Sequence, residues 1–121
     1  MELLDVVDAY DRAWGEPDPN ERRRLLERSL TEDAELISPQ GRWAGRDAIA
    51  KWIDGFPERM PGATVKVTSG VDAHHGFMRY AWSIAGDDGS TIAEGIDVCQ
   101  LADDGRLRRV VMFFGSIPSK S

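Results

Sequence analysis

The sequence predicts an α+β domain in which three N-terminal helices pack on an antiparallel sheet. Two observations carry this. Apolar residues recur at helical spacing in three segments before Pro57, and from Val65 onward the period changes to two. Helices segregated from strands in this way cover one face of a sheet built from hairpins. A length of 121 residues suits one such domain, expected to span residues 1–117, with a tail over 118–121 expected to fray.

The first helix is predicted over about residues 2–14. Leu3, Val7, Tyr10 and Trp14 form its stripe, Leu4 and Val6 widen it, and Gly15 and Pro17 end it. The second starts at Asp18-Pro19-Asn20-Glu21. Asp18 suits the N-cap, Pro19 the first helical position, and Glu21 can reach back as in a capping box. Leu25, Leu26 and Leu30 supply its buried face. Thr31-Glu32-Asp33 breaks the pattern. Ala34 to Ile37 reads as a short strand closed by the turn residues Ser38-Pro39-Gln40-Gly41. A third helix follows Gly45, with Ile49, Trp52, Ile53 and Phe56 on one stripe and Asp47 in its first turn. Gly55 and Pro57 stop it.

Val65 to Val71 then alternates. Residues 77–85, 91–101 and 107–114 are strand-like, separated by short turns at 73–76, 86–89 and 103–105, so these four form consecutive hairpins. Both faces of the sheet are apolar, because Ile96, Val98, Val111 and Phe113 alternate with the opposite set. The helices can cover only one face. A homodimer packed through the other, convex face is the expectation.

Composition narrows the partners. The net charge of −6 disfavours nucleic acid. The one basic run, Arg22-Arg23-Arg24 with Arg28, is interleaved with Glu21 and Glu27 and reads as a solvated helix face. A single cysteine excludes an intrachain disulfide and suits a reducing compartment. The acidic start Met1-Glu2-Leu3-Leu4-Asp5 is unlike a signal peptide, and no apolar run has membrane-spanning length. A cytoplasmic protein with no membrane partner is expected.

Asp97 is the candidate catalytic residue. A carboxylate between Ile96 and Val98 in mid-strand is out of place. Alternation puts Gly95, Asp97, Cys99 and Leu101 on one face. Pointing into a pocket, Asp97 would have a raised pKa and serve as proton donor or base. The alternative is a carboxylate that faces solvent or pairs with an arginine. Tyr80 and Trp82 on one strand, and Val110, Met112 and Phe114 on the last, are expected on the same wall, with Tyr10, Trp14 and Trp52 from the helices. Cys99 shares Asp97's face, and nothing near it marks a nucleophile. His74 and His75 sit in a turn and are too few for a metal site. Neither a P-loop nor a zinc pattern occurs, and no cofactor or metal is expected.

The element order and several phrases resemble the nuclear transport factor 2-like superfamily, nearest its SnoaL-like polyketide cyclase and ketosteroid isomerase branches. The phrases are Thr31-Glu32-Asp33-Ala34 leading into Ile37-Ser38-Pro39-Gln40-Gly41, Gly45-Arg46-Asp47-Ala48-Ile49, Gly95-Ile96-Asp97-Val98, and Asp104-Gly105-Arg106 running to Phe113-Phe114-Gly115. The resemblance implies a strongly bent sheet and three helices forming a cone-shaped barrel with a deep pocket. It implies a small hydrophobic ligand, such as a polyketide, steroid or terpenoid-like compound, and a cofactor-independent isomerase or cyclase using Asp97 as acid/base. In the ketosteroid isomerases an aspartic acid matching Asp97 stays protonated and donates a hydrogen bond to an oxyanion. Their aspartate base is matched by Ser38, which cannot replace it. Their tyrosine donor belongs on the first helix, where Tyr10 and Trp14 stand. A non-catalytic ligand-binding or accessory domain is therefore the second reading. An epoxide hydrolase of the limonene type is a third, but its Asp–Arg–Asp group would need Arg79, which has the opposite phase to Tyr80 and Trp82.

Overall fold

The computed structural model describes residues 2–120. Helix α1 (Leu3–Gly15) buries Val6, Val7, Tyr10 and Trp14 along the stripe that the spacing predicts. Helix α2 (Pro19–Ser29) has Asp18 as N-cap, accepting from the Asn20 amide. The capping box does not form. Glu16 accepts the Asp18 N–H, and Glu21 instead pairs with Arg24 one turn on. Arg22 is buried on α2 and joins it to helix α3 (Arg46–Asp54) through Asp54.

Between these helices the chain forms a hairpin. Strand β1 (Leu30–Ser38) is longer than predicted. The residues that break its pattern lie within it, where the register shifts between Leu30 and Glu35 and the Thr31 hydroxyl donates to Asp33. The turn at Pro39-Gln40 leads into β2 (Gly41–Ala44), a strand the sequence pattern did not reveal. β2 holds its place through Trp43, whose ring stacks on Trp52 of α3 at 4.2 Å. Gly55 ends α3, and Pro57 lies in the first turn of a short helix α4 (Phe56–Arg59).

The remaining strands are β3 (Thr64–Val67), β4 (Asp72–His74), β5 (Phe77–Ala85), β6 (Thr91–Leu101) and β7 (Leu107–Phe114). The last three match their predicted bounds. The alternating run from Val65 to Val71 is split: β3 ends at Val67, and β4 pairs separately with β5 through a turn at His75-Gly76. His74 is thus an edge-strand residue rather than a turn residue, and both histidines are exposed.

The sheet order is β2-β1-β7-β6-β5-β3. All pairs are antiparallel except β1 with β7, so the sheet is mixed, and it does not close into a barrel. The helices lie across its concave face. Gly95 marks where the sheet is tightest: a Cβ there would sit 1.9 Å from the Phe113 carbonyl oxygen and 2.7 Å from the Trp82 ring.

The convex face has no cover in the single chain. Phe77, Ile96, Val98 and Phe113 are exposed on it, Phe113 by 58%. Cross-strand register lines them up: Ala81, Ile96 and Phe113 form one row, and Arg79, Val98, Val111 and Ile37 the next. The tail from Ile117 to Lys120 has no regular structure and is exposed, while Met1 and Ser121 lie outside the described residues.

Candidate active site

Asp97 stands in the middle of β6, in register with Tyr80 on β5 and Met112 on β7. The pleat turns it to the concave face, beneath α1, and it is 4% exposed. The Tyr80 hydroxyl donates to its Oδ2 at 2.8 Å, and Oδ1 has no partner. Among the described residues no cation pairs with it. Burial therefore lifts the carboxyl to a pKa of about 7. The Tyr80 hydroxyl opposes that rise, as does the nearby Trp82 N–H, although it forms no full hydrogen bond. The charge of Asp11 adds to it.

A small chamber of about 30 Å³ lies over Asp97. Tyr10, Asp11 and Trp14 of α1 form its roof, Tyr80, Trp82 and Met112 its floor, and Val65, Val67, Ile84 and Phe56 its sides. That is room for one or two waters. The Tyr10 hydroxyl and Trp82 Nε1 are buried there with no hydrogen-bond partner. Burial, with the nearby Asp97, pushes the Tyr10 and Tyr80 phenols up, so both stay protonated. With Asp97 in its acid form, the chamber holds three buried donors without an acceptor. Such groups ask for an explanation in a folded protein, and a carbonyl oxygen among them would satisfy it.

A second, more open cavity of about 160 Å³ adjoins the chamber. Trp14, Phe56, Ile84 and Met112 line both spaces and form the partition between them. Trp52, Met60, Phe114, Gln40 and Arg59 complete the outer wall. Trp14 meets Phe56 edge to face at 5.4 Å, and Trp82 meets Phe114 in the same way at 4.9 Å. In place of one deep pocket, the space is an inner chamber and a vestibule divided by side chains.

The structure thus brings Tyr10, Trp14, Tyr80, Trp82 and Met112 to the chamber with Asp97, and Trp52 and Phe114 to the vestibule. Cys99 and Val110 stand apart from both. They are cross-strand neighbours one pleat beyond Asp97, where Met78 and Leu107 fill the core completely. Burial pushes the Cys99 thiol up, which leaves it unreactive. Ser38 is a turn hydroxyl bonded to Gln40 and lines neither cavity. Arg79 lies on the convex side in an exposed pair with Asp72 at 2.9 Å. No arginine lines the chamber, so the Asp–Arg–Asp group of the third reading is not assembled. Among the described residues no three His, Cys, Asp or Glu side chains cluster as for a metal.

Asp11 was not foreseen. Flanked by Asp8 and Arg12, it passes for part of a solvated helix face. The signal was its spacing, four residues after Val7 and three before Trp14, which sets a carboxylate inside the apolar stripe. It is half-buried, and burial raises its pKa to about 6, opposed by the Val67 backbone amide and helped by Asp8. Two aspartates with raised pKa values therefore share one chamber, Asp97 deep and Asp11 nearer solvent.

Comparison with known proteins agrees with this architecture. The family model described as SnoaL-like domain matches residues 6–110. A SnoaL-like family protein from Agrobacterium tumefaciens strain C58, whose proposed activity is that of an isomerase, is 30% identical and superposes with a TM-score of 0.86 over 94% of this chain and 97% of its own. A proposed polyketide cyclase from Sinorhizobium meliloti is 16% identical, with a TM-score of 0.71 over 93% of this chain and all of its own (100%). A nuclear transport factor 2-like protein of unknown function from Exiguobacterium sp. 255-15 is 15% identical, with a TM-score of 0.74 over 93% and 99% of the two chains. The last two share the fold. No curated protein sequence matches the chain.

Proposed function

The chain belongs to the SnoaL-like domain family, and from that premise we propose that it is a cofactor-independent acid–base enzyme of the isomerase or cyclase type, acting on a small hydrophobic carbonyl compound. The observation that carries the reading is Asp97, buried without a cation and sharing its chamber with a second carboxylate and two unpaired donors.

The groups divide the work by their surroundings. The substrate carbonyl oxygen takes hydrogen bonds from the protonated Asp97 carboxyl, with the Tyr10 hydroxyl and Trp82 N–H as further donors. Asp11, ionised at neutral pH, accepts the proton from the carbon next to the carbonyl. The electron pair of that C–H bond becomes the enol double bond, and charge gathers on the oxygen that Asp97 faces. Return of the proton to another carbon gives an isomer. Attack of the enol carbon on a second carbonyl in the same molecule gives a ring. In either case the proton held by Asp11 goes back to product, and nothing is oxidised or reduced. Binding requires the side chains of the partition to move, and Met112 is the most adaptable of them.

The substrate would be polyketide, steroid or terpenoid-like in character. The protein would act as a homodimer through the convex sheet face, and its buried free thiol suits the cytoplasm. No helix among the described residues is long and apolar enough to cross a membrane.

The test is exchange of carbon-bound protons. Steroid, polyketide and terpenoid ketones are incubated with the protein in heavy water and followed by mass spectrometry. One class should gain deuterium next to its carbonyl, and Asp97→Asn and Asp11→Asn should each slow this by about 100-fold or more. Exchange undiminished in both variants would sink the assignment. The small size of the chamber favours a second reading, a ligand-binding domain without chemistry. A ligand of the same panel would then raise the unfolding midpoint while no deuterium enters it.

A further inference from the structure

We propose that Arg59 and Gln40 form an anion-anchoring subsite in the vestibule, so that the ligand is an apolar compound carrying a carboxylate at one end. This rests on the vestibule being the ligand's way in to Asp97.

Arg59 is held in a defined place. Its guanidinium carbon lies over the Trp52 ring, 3.5 Å from the centroid, and Trp52 is itself stacked on Trp43. Gly55 permits this. A Cβ at that position would sit 2.7 Å from Arg59 Nη1. Stacking occupies the face of the guanidinium and leaves its N–H edge free, which is the edge that takes a carboxylate. Among the described residues no acid lies within ion-pair distance of Arg59. Its sequence neighbour Glu58 acts on it electrostatically without forming an ion pair. Among the described residues Arg28, Arg46 and Arg108 also lack a carboxylate partner, but of these four arginines Arg59 alone lines the vestibule.

Gln40 supplies a second donor. The Ser38 hydroxyl donates to Gln40 Oε1 at 3.0 Å, which occupies the acceptor end of the amide and leaves its NH₂ group free. The rest of the vestibule wall is aromatic or aliphatic: Trp14, Trp52, Phe56, Met60, Met112 and Phe114 are the chief contributors. Two free donors on an otherwise apolar wall select a ligand with an apolar body and one anionic end. The partition shared with the Asp97 chamber sets the other end of that body toward the acid–base pair.

Naphthylacetate and its neutral isostere naphthylacetamide make the probe pair. Affinities are measured by isothermal titration calorimetry, with the Trp52 indole N–H resonance reporting the place of binding. The carboxylate should bind the unmodified protein about tenfold more tightly than the amide, and shift Trp52. Arg59→Gln should abolish the preference by weakening the carboxylate far more than the amide, and Arg59→Lys should restore part of it. Arg108→Gln, an exposed charge on β7 away from both cavities, should leave it intact. Equal affinities, a preference that survives Arg59→Gln, or no binding of either compound would each overturn the subsite. Asp97→Asn separates the two proposals. If the carboxylate preference persists in that variant while the unmodified protein brings deuterium into no ketone, the subsite stands and the catalytic reading falls. Exchange that depends on Asp97, with no carboxylate preference, is the reverse.

Discussion

Replacing Asp97 by Asn should make the protein more stable at alkaline pH, although it removes the central functional group. The carboxyl titrates at about 7 in the folded chain against 3.8 when exposed, because burial penalises its charge. The folded state therefore holds a proton that the unfolded state has lost between those two values. Stability must fall as pH rises through that window, and the loss is complete above it. At about 1.4 kcal/mol per unit, a shift of about three units amounts to about 4 kcal/mol, of which about 3 kcal/mol falls between pH 5 and pH 8.5. Asn keeps the shape, and its Oδ1 still accepts from Tyr80, but it never ionises. Urea unfolding of both proteins at about pH 5 and about pH 8.5 gives the comparison. The unmodified protein should lose about 3 kcal/mol more than the variant over that range. Asp11 titrates alike in both proteins and largely cancels. Parallel pH dependences in the two proteins would show that Asp97 carries no buried charge, and the reasoning fails.

Further outcomes follow from the same geometry. Tyr80→Phe removes the hydrogen bond that favours the charged carboxylate, so the Asp97 titration should move to higher pH, while Asp11→Asn should move it lower; both are read by carboxyl NMR. If Asp11 is the base and Asp97 the acid, turnover should follow a bell over pH with limbs near 6 and 7, as apparent values of the pair. Gly95→Ala forces a Cβ against the Phe113 carbonyl, so it should cost at least ~2 kcal/mol in urea unfolding or prevent folding. Phe113→Lys places a charge in the middle of the exposed convex rows; sedimentation should show a dimer for the unmodified protein and a monomer for this variant.

Local patterns carried most of the architecture. Strands β5, β6 and β7 keep a strict period of two between short turns, so their bounds and their concave and convex sets were legible. The pairing of β1 with β7 was not, because alternation within a strand says nothing about its neighbour's direction. β2 was hidden by its four residues, which mix Gly41 and Arg42 with the anchoring Trp43. Asp97 stood out because a carboxylate interrupts an apolar strand. Asp11 interrupts an apolar stripe as well, but a helix offers charged residues on either side of it in sequence, and these masked the signal. Cys99 and Val110 show the limit of face assignments: alternation gives the face, while the position of a cavity along that face depends on how Met78 and Leu107 fill it. Arg59 and Gln40 lie on a one-turn helix and in a hairpin turn, where no periodicity announces what a side chain will meet.

The central claim is that Asp97 is a buried carboxyl that holds its proton up to near neutral pH. The most direct test is titration of its side-chain carboxyl carbon by NMR, assigned with Asp97→Asn. A midpoint near 7 is the result predicted. A midpoint near the 3.8 of an exposed aspartate would mean a solvated or paired carboxylate and would contradict the account.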